Sequence, residues 1–446
     1  MTFDESLKYL YSIAPPFHQV GAVAYKPGLD TMRRLMAALS LGAHEGYSAF
    51  DFRLFTFDFP IIHIAGTNGK GSTSHLIAAA LAASGKKVGL YTSPHLVSFC
   101  ERVRVIEPIV NQNTIVNHLV PEAYVAEFVE DQHSLIEQLH PSFFEITTAM
   151  AFCWLAEQKV DVAVIEVGLG GLLDATNIVT PALTVITNIG YDHTDLLGKT
   201  LPEIARQKAG IIKQGVTCIV GEGTEETRAV FEQVAREHEA PLVFADECEY
   251  LRRQRLLFAP DCELKGAYQQ LNMQTAFVAL RALHVPHQAV AEGFAHVVQY
   301  TGLRGRWEIL SQEPLTICDT GHNSHGVRTY VAQLRQLTAQ PANPSPQNAN
   351  RQLHIVFGMV ADKDIDAVLQ LLPEQASYYF TQPDSHRALP ADELLHRWQT
   401  IHPQHNACRA FEHVAEALHA ARRAAKIEDV IFIGGSNYVV GEAMKG

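Results

Sequence analysis

The chain has 446 residues, of which 47% are hydrophobic and 19% charged. This composition is typical of a globular protein, and the length predicts two domains. The formal net charge of −13 argues against a nucleic-acid partner, because contacts to phosphates require clustered Lys and Arg.

The amino terminus and the cysteines indicate the cellular compartment in which the protein is expected. The amino terminus is acidic, and no stretch is long and apolar enough to cross a bilayer, so we expect neither a signal peptide nor a membrane partner. The seven cysteines are odd in number and form no CxxC pair. We interpret them as thiols of a cytoplasmic protein rather than as a disulfide framework.

The amino-terminal region predicts one βαβ unit of a parallel sheet. Residues 1–60 are predicted to be a helical lead-in, and the β-rich tract Ile61–Ala65 ends at Gly66. A helix is predicted from Ser72 to Ala83 and a second strand at Val88–Thr92. Strand, glycine loop, helix and strand follow one another as in a βαβ unit.

Continuous Val and Ile runs predict further strands that are buried on both faces of the sheet. These runs are Val160–Val167, Ala182–Asn188, Cys218–Val220 and Leu242–Phe244. Helices are predicted at Phe144–Gln158, Leu201–Ala209 and Tyr268–Ala282. A boundary near Gly302–Gly305 divides the chain into predicted domains 1–302 and 303–446.

Beyond that boundary the alternation of strands and helices starts again. Strands are predicted at Leu315–Cys318, Leu353–Phe357, Tyr378–Phe380 and Val430–Ile433. Helices are predicted to begin near Asn323, Asp364, Ala391 and Phe411, and residues 341–350 predict an exposed loop. The predicted fold class is α/β, with a mostly parallel sheet in the amino-terminal domain and a smaller carboxy-terminal α/β domain.

The strongest chemical signal is a glycine-rich loop between the first strand and the first helix of that unit. It consists of Gly66, Thr67, Asn68, Gly69, Lys70, Gly71 and Ser72. Glycines allow several backbone N–H groups to point at one anion, and the helix adds its dipole. The loop departs from the standard phosphate-loop spacing, since Gly71 separates Lys70 from Ser72. An ordinary turn is the alternative, but Lys70 favours nucleotide phosphate, so we predict that the loop binds ATP.

Three polar positions at strand ends predict a site for Mg²⁺, which prefers oxygen ligands. Ser93 follows the strand at Val88–Thr92, Glu166 ends the strand that starts at Val160, and the pair Asp192-His193 follows the strand at Ala182–Asn188. In α/β sheets ligands gather at the carboxyl ends of strands. A carboxylate there is often only a cap or an ion-pair partner, and imidazole is a less usual ligand of Mg²⁺ than oxygen.

Ten segments, in their order and spacing, resemble the folylpolyglutamate synthase / dihydrofolate synthase family of the Mur ligase superfamily. The early ones are AYKPGLD (24–30), HIAGTNGKGST (63–73), YTSPHL (91–96) and FFEITTAMAF (143–152). EVGLGGLLDATN (166–177), TNIGYDHTDLLG (187–198) and ARQKAGIIK (205–213) follow. The last are LRGRW (303–307), DTGHN (319–323) and VVGEA (439–443).

The resemblance implies an ATP-dependent ligase with a Mur-ligase-like fold. In such enzymes ATP phosphorylates a carboxylate of a pteroate or folate, and the amino group of L-glutamate attacks the acyl phosphate. The products are an amide, ADP and phosphate. Catalysis is then mostly positioning and charge neutralisation by Mg²⁺ and Lys70.

The resemblance also assigns roles by position. It implies Ser93, Glu166 and His193 as metal ligands, with a carbamylated Lys208 as a ligand of a second Mg²⁺. It implies ATP contacts by Asn272, Arg306 and Asp319, and places His322 near the phosphates. Ser142, Phe144 and Asp174 match positions on the pterin side of the site. Without the resemblance, each would be read as a cap, core or surface residue.

Three positions depart from the pattern of the family. Leu172 stands where the family commonly has Arg in GGRLDATN, which puts one cationic contact in doubt. Gly321 replaces the usual Ala before His-Asn, and Ser324 replaces the Pro that commonly follows it.

Other classes of protein compete with this interpretation. A ligase acting on a UDP-muramyl substrate would be expected to carry a separate domain before the loop, and 62 residues precede His63. A phosphate-loop kinase or regulatory NTPase would not account for the second α/β unit. A catalytically inactive binding protein would not need Lys70, Glu166, His193 and Asp319. Whether the acceptor is dihydropteroate, a reduced folate or both stays open; we favour both, and a monomer.

Overall fold

The computed structural model describes residues 1–15, 26–42, 50–51, 56–109, 114–248, 261–338, 351–361 and 363–445. These residues form two compact units. Unit 1 comprises Met1–Glu263 and Gln269–Leu303, and unit 2 comprises Leu264–Tyr268 and Arg304–Gly446. The short segment Leu264–Tyr268 belongs to unit 2 although both of its sequence neighbours belong to unit 1.

Unit 1 is a layered α/β structure. In chain order its elements are α1 (Phe3–Ile13), α2 (Asp30–Gly42), β1 (Phe50–Asp51), β2 (Thr56–Phe57), β3 (Ile61–Ala65), α3 (Lys70–Ala83), β4 (Val88–Tyr91), β5 (Val103–Ile109), β6 (Thr114–Leu119), α4 (Glu122–Asp131), α5 (His133–Leu139), α6 (Phe143–Glu157), β7 (Val162–Glu166), β8 (Leu183–Ile186), α7 (Thr194–Leu197), α8 (Leu201–Ala209), β9 (Cys218–Val220), α9 (Glu225–Glu237), β10 (Leu242–Phe244), α10 (Gln269–Ala282), α11 (His287–Ala295) and α12 (Val297–Thr301).

The main sheet of unit 1 has the strand order β10-β9-β8-β3-β7-β4-β5-β6. The pairs from β10 to β4 are parallel, and β5 and β6 extend the sheet in antiparallel fashion. Every residue of β3, β7 and β8 is buried, because helices cover both faces of a parallel sheet. The carboxyl ends of β4, β7, β3 and β8 therefore meet at one edge.

Unit 2 is a second α/β structure. Its elements are β11 (Glu308–Gln312), β12 (Leu315–Cys318), α13 (Ser324–Thr338), β13 (Leu353–Phe357), α14 (Ile365–Leu369), β14 (Ala376–Thr381), α15 (Ala391–Ile401), β15 (Cys408–Phe411), α16 (Val414–Ala424), β16 (Val430–Gly434) and α17 (Asn437–Ala443). The strand order is β11-β12-β16-β13-β14-β15, and only β11 is antiparallel within this described sheet.

The predicted fold class is confirmed, and most predicted strands coincide with observed strands. Two predictions are wrong. Phe411 ends strand β15 and the following helix begins at Val414, because the apolar tract at Cys408–Phe411 pairs with β14 as a sheet edge. The lead-in of residues 1–60 also contains the paired strands β1 and β2. The predicted loop at 341–350 lies outside the described residues.

Local sequence signals explain the helices that border the site. Thr200 and Glu203 form a reciprocal capping box at the start of α8, which satisfies N–H groups at the helix end. The helix ends at Gly210, where a Cβ atom would lie 2.5 Å from Cα of Leu172. Gly210 thus allows the loop containing Leu172 to pack closely against the end of α8.

Candidate functional site

The glycine-rich loop connects β3 to α3 at the edge where the parallel strands end. Gly66 and Gly69 have φ angles of +150° and +81°, which favour glycine. A Cβ atom on Gly66 would lie 1.8 Å from Oγ1 of Thr187, and one on Gly69 would lie 2.1 Å from Oδ1 of Asn272. Both glycines are therefore required by conformation and by close packing.

The start of α3 has the chemistry of an anion site. Gly69 is the N-cap residue and, as a glycine, has no side chain to cap the first turn of the helix. The amides of this turn and the positive end of the helix dipole are suited to phosphate. Nζ of Lys70 donates to the carbonyl oxygens of Gly66 at 3.0 Å and Thr67 at 3.2 Å, so its charge lies at the same loop.

Residues that follow strand β8 form hydrogen bonds with the glycine-rich loop. Oγ1 of Thr187 donates to the carbonyl oxygen of Asn68 at 2.6 Å, and Oδ1 of Asn188 accepts from the Asn68 amide at 3.0 Å. Oγ1 of Thr67 accepts from the Gly190 amide at 3.0 Å. Sequence reasoning missed Thr187 and Asn188 as loop supports, although their place directly after a buried strand was a usable signal.

Two residues of helix α10 also contact the glycine-rich loop. Nε2 of Gln269 donates to Oγ of Ser72 at 3.2 Å, and Nδ2 of Asn272 donates to Oε1 of Gln269 at 2.8 Å. Gln269 and Asn272 are both buried. The structure thus brings Asn272 and Ser72 together at the loop, and it adds Gln269, which sequence reasoning missed.

Lys208, on α8, contacts the loop and is only 4% exposed. Its Nζ donates to the carbonyl oxygen of Gly66 at 2.8 Å, the same oxygen that accepts from Lys70. Burial, together with the nearby charge of Lys70, lowers the pKa of Lys208 to about 7. A substantial fraction of this amine is therefore uncharged near neutral pH, which is the form that reacts with CO₂.

Two of the predicted metal ligands are adjacent. The Ser93 amide donates to Oε2 of Glu166 at 2.9 Å, because β4 and β7 are paired in parallel and end together. Glu166 is 4% exposed, and its carboxylate contacts the backbone of a residue that carries a hydroxyl, so the pair offers oxygen atoms of the kind a hard cation prefers. His193 has a left-handed backbone with φ of 50° and starts α7.

In the part of the chain that the structure describes, this pair does not belong to a larger carboxylate or imidazole cluster. Among the described residues, no group of three or more His, Cys, Asp or Glu side chains is arranged to hold a metal ion. The predicted set does not require one, since phosphate oxygens and water complete the usual coordination of Mg²⁺.

The predicted pterin-side residues lie around the loop that follows β7. A Cβ atom on Gly168 would lie 2.4 Å from Cζ of Phe144, so the glycine makes room for that ring. The Phe144 and Tyr91 rings stack with centroids 5.9 Å apart. Ser142 is the N-cap of α6, and its Oγ donates to Oε2 of Glu145 at 2.8 Å.

Asp174 organises the same loop from inside. Its carboxylate accepts from the Leu169 amide at 2.8 Å and from the amide and hydroxyl of Thr176 at 3.0 and 2.5 Å. The hydroxyl of Thr176 also contacts Nε2 of His63 at 2.8 Å. Burial raises the pKa of Asp174. Asp174, Thr176 and His63 form one buried polar chain, and sequence reasoning missed the part of His63 in it.

This chain leads to a prediction about acid stability. Burial lowers the pKa of His63 to about 3, whereas an unfolded histidine titrates near 6.5. As the pH falls below about 6.5 the unfolded chain gains a proton that the folded chain does not, so stability decreases. We expect this residue alone to remove about 2 kcal/mol between about pH 7 and about pH 5.

Urea denaturation at the two pH values measures this loss. The variant His63→Gln is expected to lose less stability than the wild type, because it lacks the titrating group. His118→Gln is the matched control, since His118 is exposed on β6. Equal acid sensitivity in His63→Gln and the wild type would show that His63 is not the source.

The remaining predicted residues belong to unit 2 and form a network of their own. Asp319 directly follows β12 and accepts from the Tyr268 hydroxyl at 2.6 Å and the Trp307 amide at 2.9 Å. Nη1 of Arg306 donates to the Thr320 hydroxyl. Nδ1 of His322 lies 3.0 Å from the carbonyl oxygen of Thr320. Arg306, Asp319 and His322 are thus close to one another within this unit.

Leu172, which replaces the Arg of the family pattern, has a 42% exposed side chain. Its amide donates to the carbonyl oxygen of Gln207 at 2.8 Å, and its carbonyl accepts from Nδ2 of Asn177 at 3.0 Å. The hydrogen bonds of this loop thus use the backbone of Leu172 and do not involve its side chain.

Comparison with known proteins identifies the class of the fold. Residues 64–255 match the Mur ligase middle domain, and residues 305–437 match the Mur ligase glutamate ligase domain. The dihydrofolate synthase/folylpolyglutamate synthase of Escherichia coli K12 is 34% identical over 404 residues, covering 86% of each chain. The corresponding Bacillus subtilis 168 protein is 32% identical, covering 83% of this chain and 84% of its own.

Solved structures agree with this comparison. The E. coli FolC in complex with DHPP and ADP has a TM-score of 0.76 and 29% identity, covering 100% of this chain and 97% of its own. A bifunctional folylpolyglutamate synthase/dihydrofolate synthase with Mn, AMPPNP and L-glutamate bound has a TM-score of 0.76 and 28% identity, covering 100% and 98%.

The fold and the loop thus define an ATP-dependent ligase of the Mur type. The chain belongs to the dihydrofolate synthase/folylpolyglutamate synthase family. None of the described helices has the length and apolar character of a membrane span.

Proposed function

We propose that this protein joins L-glutamate to dihydropteroate and to reduced folates, using ATP. The observation that carries the proposal is the convergence of two lysines and a helix start on one loop: Lys70 and Lys208 both donate to the carbonyl oxygen of Gly66, directly before α3. The names of the E. coli and B. subtilis relatives, which combine both acceptor activities, support both acceptors.

The proposed reaction overcomes the low reactivity of a carboxylate. Transfer of the terminal phosphoryl group of ATP to the acceptor carboxylate gives an acyl phosphate and ADP. The amino group of glutamate then attacks the acyl carbon, phosphate leaves, and an amide forms. The loop contributes by orienting the triphosphate and by placing positive charge where negative charge develops.

We propose that ATP is held by the loop residues Gly66, Thr67, Asn68, Gly69, Lys70, Gly71 and Ser72, with Asn272 beside them. From unit 2 the proposed contributors are Arg306, Asp319 and His322. The first-turn amides of α3, which the N-cap Gly69 cannot cap with a side chain, and the buried hydrogen bond of Asn272 support the first set. The second set rests on the position of these residues in the family pattern and on their mutual proximity.

We propose that Ser93, Glu166 and His193 hold one Mg²⁺ and that a carbamylated Lys208 holds a second. The adjacent oxygen donors of Ser93 and Glu166 and the buried, readily uncharged amine of Lys208 support this assignment. Bound Mg²⁺ would neutralise phosphate charge. Lys70 acts beside it by donating hydrogen bonds to the outer phosphates.

On the acceptor side we propose Phe144 as an aromatic surface for the pterin, with Ser142 and Asp174 shaping its surroundings. Phe144 is only partly buried and already stacks with Tyr91, which supports a contact surface. Asp174 acts by fixing the loop at Leu169, since its carboxylate oxygens accept hydrogen bonds from that loop.

We further propose that residues 1–302 work as the ATP-binding domain and 303–446 as the carboxy-terminal domain of a cytoplasmic monomer. Unit 2 resumes at Arg304, which supports that boundary. No disulfide joins the seven cysteines, all of which are described, and this fits a reducing compartment.

A comparison of acceptors tests the proposal. Purified protein with ATP, Mg²⁺ and L-glutamate is offered dihydropteroate, tetrahydrofolate or a UDP-muramyl peptide in separate reactions, and amide product and ADP are measured. We expect product with the first two acceptors and none with the third. Product with tetrahydrofolate alone would remove the dihydropteroate activity, and product with the muramyl peptide alone would overturn the proposal.

A further inference from the structure

The chain passes between the two units at three places. It crosses into unit 2 after Glu263, returns to unit 1 at Gln269, and crosses into unit 2 again at Arg304. The segment Leu264–Tyr268 is therefore a short piece of unit 2 that lies directly before the first residue of α10 in unit 1. One peptide bond, between Tyr268 and Gln269, joins this segment to α10.

Three hydrogen bonds fasten this segment to unit 2. The Tyr268 hydroxyl donates to Oδ2 of Asp319 at 2.6 Å. The side-chain amide of Gln333, on α13, accepts from the Ala267 amide at 2.8 Å and donates to the carbonyl oxygen of Lys265 at 3.1 Å. Gln333 thus holds the backbone of the segment, and the Asp319 carboxylate holds the Tyr268 side chain.

The same carboxylate also fastens the third crossing. Oδ2 of Asp319 accepts from the Trp307 amide at 2.9 Å, and Oδ1 accepts from the Gly321 amide at 2.7 Å. Trp307 has a φ of +51°, which is unfavourable for a non-glycine residue and requires support from its surroundings. Asp319 is 2% exposed, so one buried carboxylate holds the chain at Tyr268, where it returns to unit 1, and at Trp307, shortly after it enters unit 2 at Arg304.

On the other side of the Tyr268–Gln269 bond, the chain touches the phosphate loop. Gln269 is fully buried, and its amide links Oγ of Ser72 at 3.2 Å to Nδ2 of Asn272 at 2.8 Å. Oδ1 of Asn272 lies 2.1 Å from the place of a Cβ on Gly69, so this amide packs directly against the loop. A shift of the loop therefore moves Gln269.

We propose that Tyr268 and Gln269 are positioning residues that transmit occupancy of the phosphate loop to Asp319, and through Asp319 to the backbone at Trp307, just after the last crossing into unit 2. The path runs from Ser72 and Asn272 to Gln269, across one peptide bond to Tyr268, and by a hydrogen bond to Asp319. This inference rests on the proposed function, in which the loop Gly66–Ser72 binds the triphosphate. It assigns to the Asp319 carboxylate a task of fixing the backbone.

The variant Tyr268→Phe tests the path, because it removes one hydroxyl and keeps the ring. We expect kcat to fall about tenfold, while the Kd for ADP from calorimetry stays within about twofold of the wild type. Tyr124→Phe is the matched control, since its hydroxyl also donates to a carboxylate, Oε1 of Glu157 at 2.8 Å, in a part of unit 1 away from the crossings. The control is expected to keep the wild-type kcat.

Hydrogen exchange supplies a readout that a merely structural role would not change. In the wild type, ADP is expected to slow exchange of the Trp307 amide, which donates to Asp319. In Tyr268→Phe this response to ADP is expected to be lost although ADP still binds. A second variant, Gln333→Ala, releases the same segment at Lys265 and Ala267 without altering Tyr268, and we expect kcat to fall in the same direction, by about threefold.

The outcomes separate this inference from the proposed function. No ADP binding by the folded wild type would overturn the proposed function and the path together. Normal binding with unchanged kcat and unchanged Trp307 protection in Tyr268→Phe would overturn the path alone. A loss of ADP affinity with an unchanged kcat would also overturn it, because Tyr268 would then act in nucleotide binding.

Discussion

Replacing Lys70 with Ala is expected to reduce ADP formation by roughly a thousandfold, or about 4 kcal/mol of transition-state stabilisation. The ammonium group of Lys70 already lies at the loop, where it donates to the carbonyl oxygens of Gly66 and Thr67. Charge that develops on the transferred phosphoryl group would lose its nearest cation in the loop. Initial rates of ADP release with saturating acceptor and glutamate measure the effect.

The fold is expected to survive this change. Lys70 is only partly buried and contributes two hydrogen bonds, each worth about 1 kcal/mol, so the melting temperature should change by a few degrees. Lys86→Ala is the control, because Lys86 is exposed beyond the other end of α3. Wild-type turnover in Lys70→Ala would show that the loop does not act on the phosphates.

Replacing Lys208 with Met is expected to reduce ligase activity at least about 100-fold without loss of stability. Met keeps the length of the buried side chain and removes the nitrogen that the proposed carbamylation requires. Because Lys208 is 4% exposed, removal of its amine also removes a cost of burial, so the variant should melt at or above the wild-type temperature. Rates at increasing Mg²⁺ concentration should show a weaker dependence on the metal.

A spectroscopic measurement separates the modification from the residue. With ¹³C-labelled bicarbonate, NMR of the wild type is expected to show a carbamate signal that Lys208→Met lacks. Lys199→Met is the control, since Lys199 is exposed and paired with Asp195 at 2.6 Å. Full activity in Lys208→Met would contradict a catalytic role, whereas a missing carbamate signal in the wild type would contradict the modification alone.

Much of the central sheet and of the loop is predictable from sequence, for identifiable physical reasons. Strands such as Cys218–Val220 and Leu353–Phe357 have the predicted bounds because strands buried on both faces need uninterrupted apolar runs. The loop is recognisable because the positive φ of Gly69 and the charge of Lys70 require particular residue types at neighbouring positions.

Other features of the fold cannot be predicted from the sequence, because they depend on residues far away in the chain. The antiparallel strands β5 and β6 are defined by their pairing partners, and the partly exposed pattern of β6 resembles a loop. The apolar tract before Val414 predicts a helix equally well until β14 is seen beside it. The attachment of Tyr268 to unit 2 follows from a carboxylate 51 residues away, which no local pattern contains.

Some residues of the candidate site are likewise predictable from the sequence, and others are not. Ser93 and Glu166 are predictable from their strand ends, and parallel pairing of β4 and β7 brings them within one hydrogen bond. Gln269 and His63 are not, since their roles depend on buried contacts, to Ser72 and Asn272 for Gln269 and to Thr176 for His63. Buried polar pairs of this kind produce no periodic pattern in the sequence from which they could be predicted.

In the proposed reaction, ATP activates the acceptor by phosphorylating its carboxylate. The most direct test uses dihydropteroate or tetrahydrofolate labelled with ¹⁸O in the carboxylate, together with ATP, Mg²⁺, L-glutamate and the wild-type protein. Mass spectrometry of the released phosphate is expected to show one ¹⁸O atom for each amide formed. Label in AMP, or no label in phosphate while amide accumulates, would exclude an acyl phosphate intermediate.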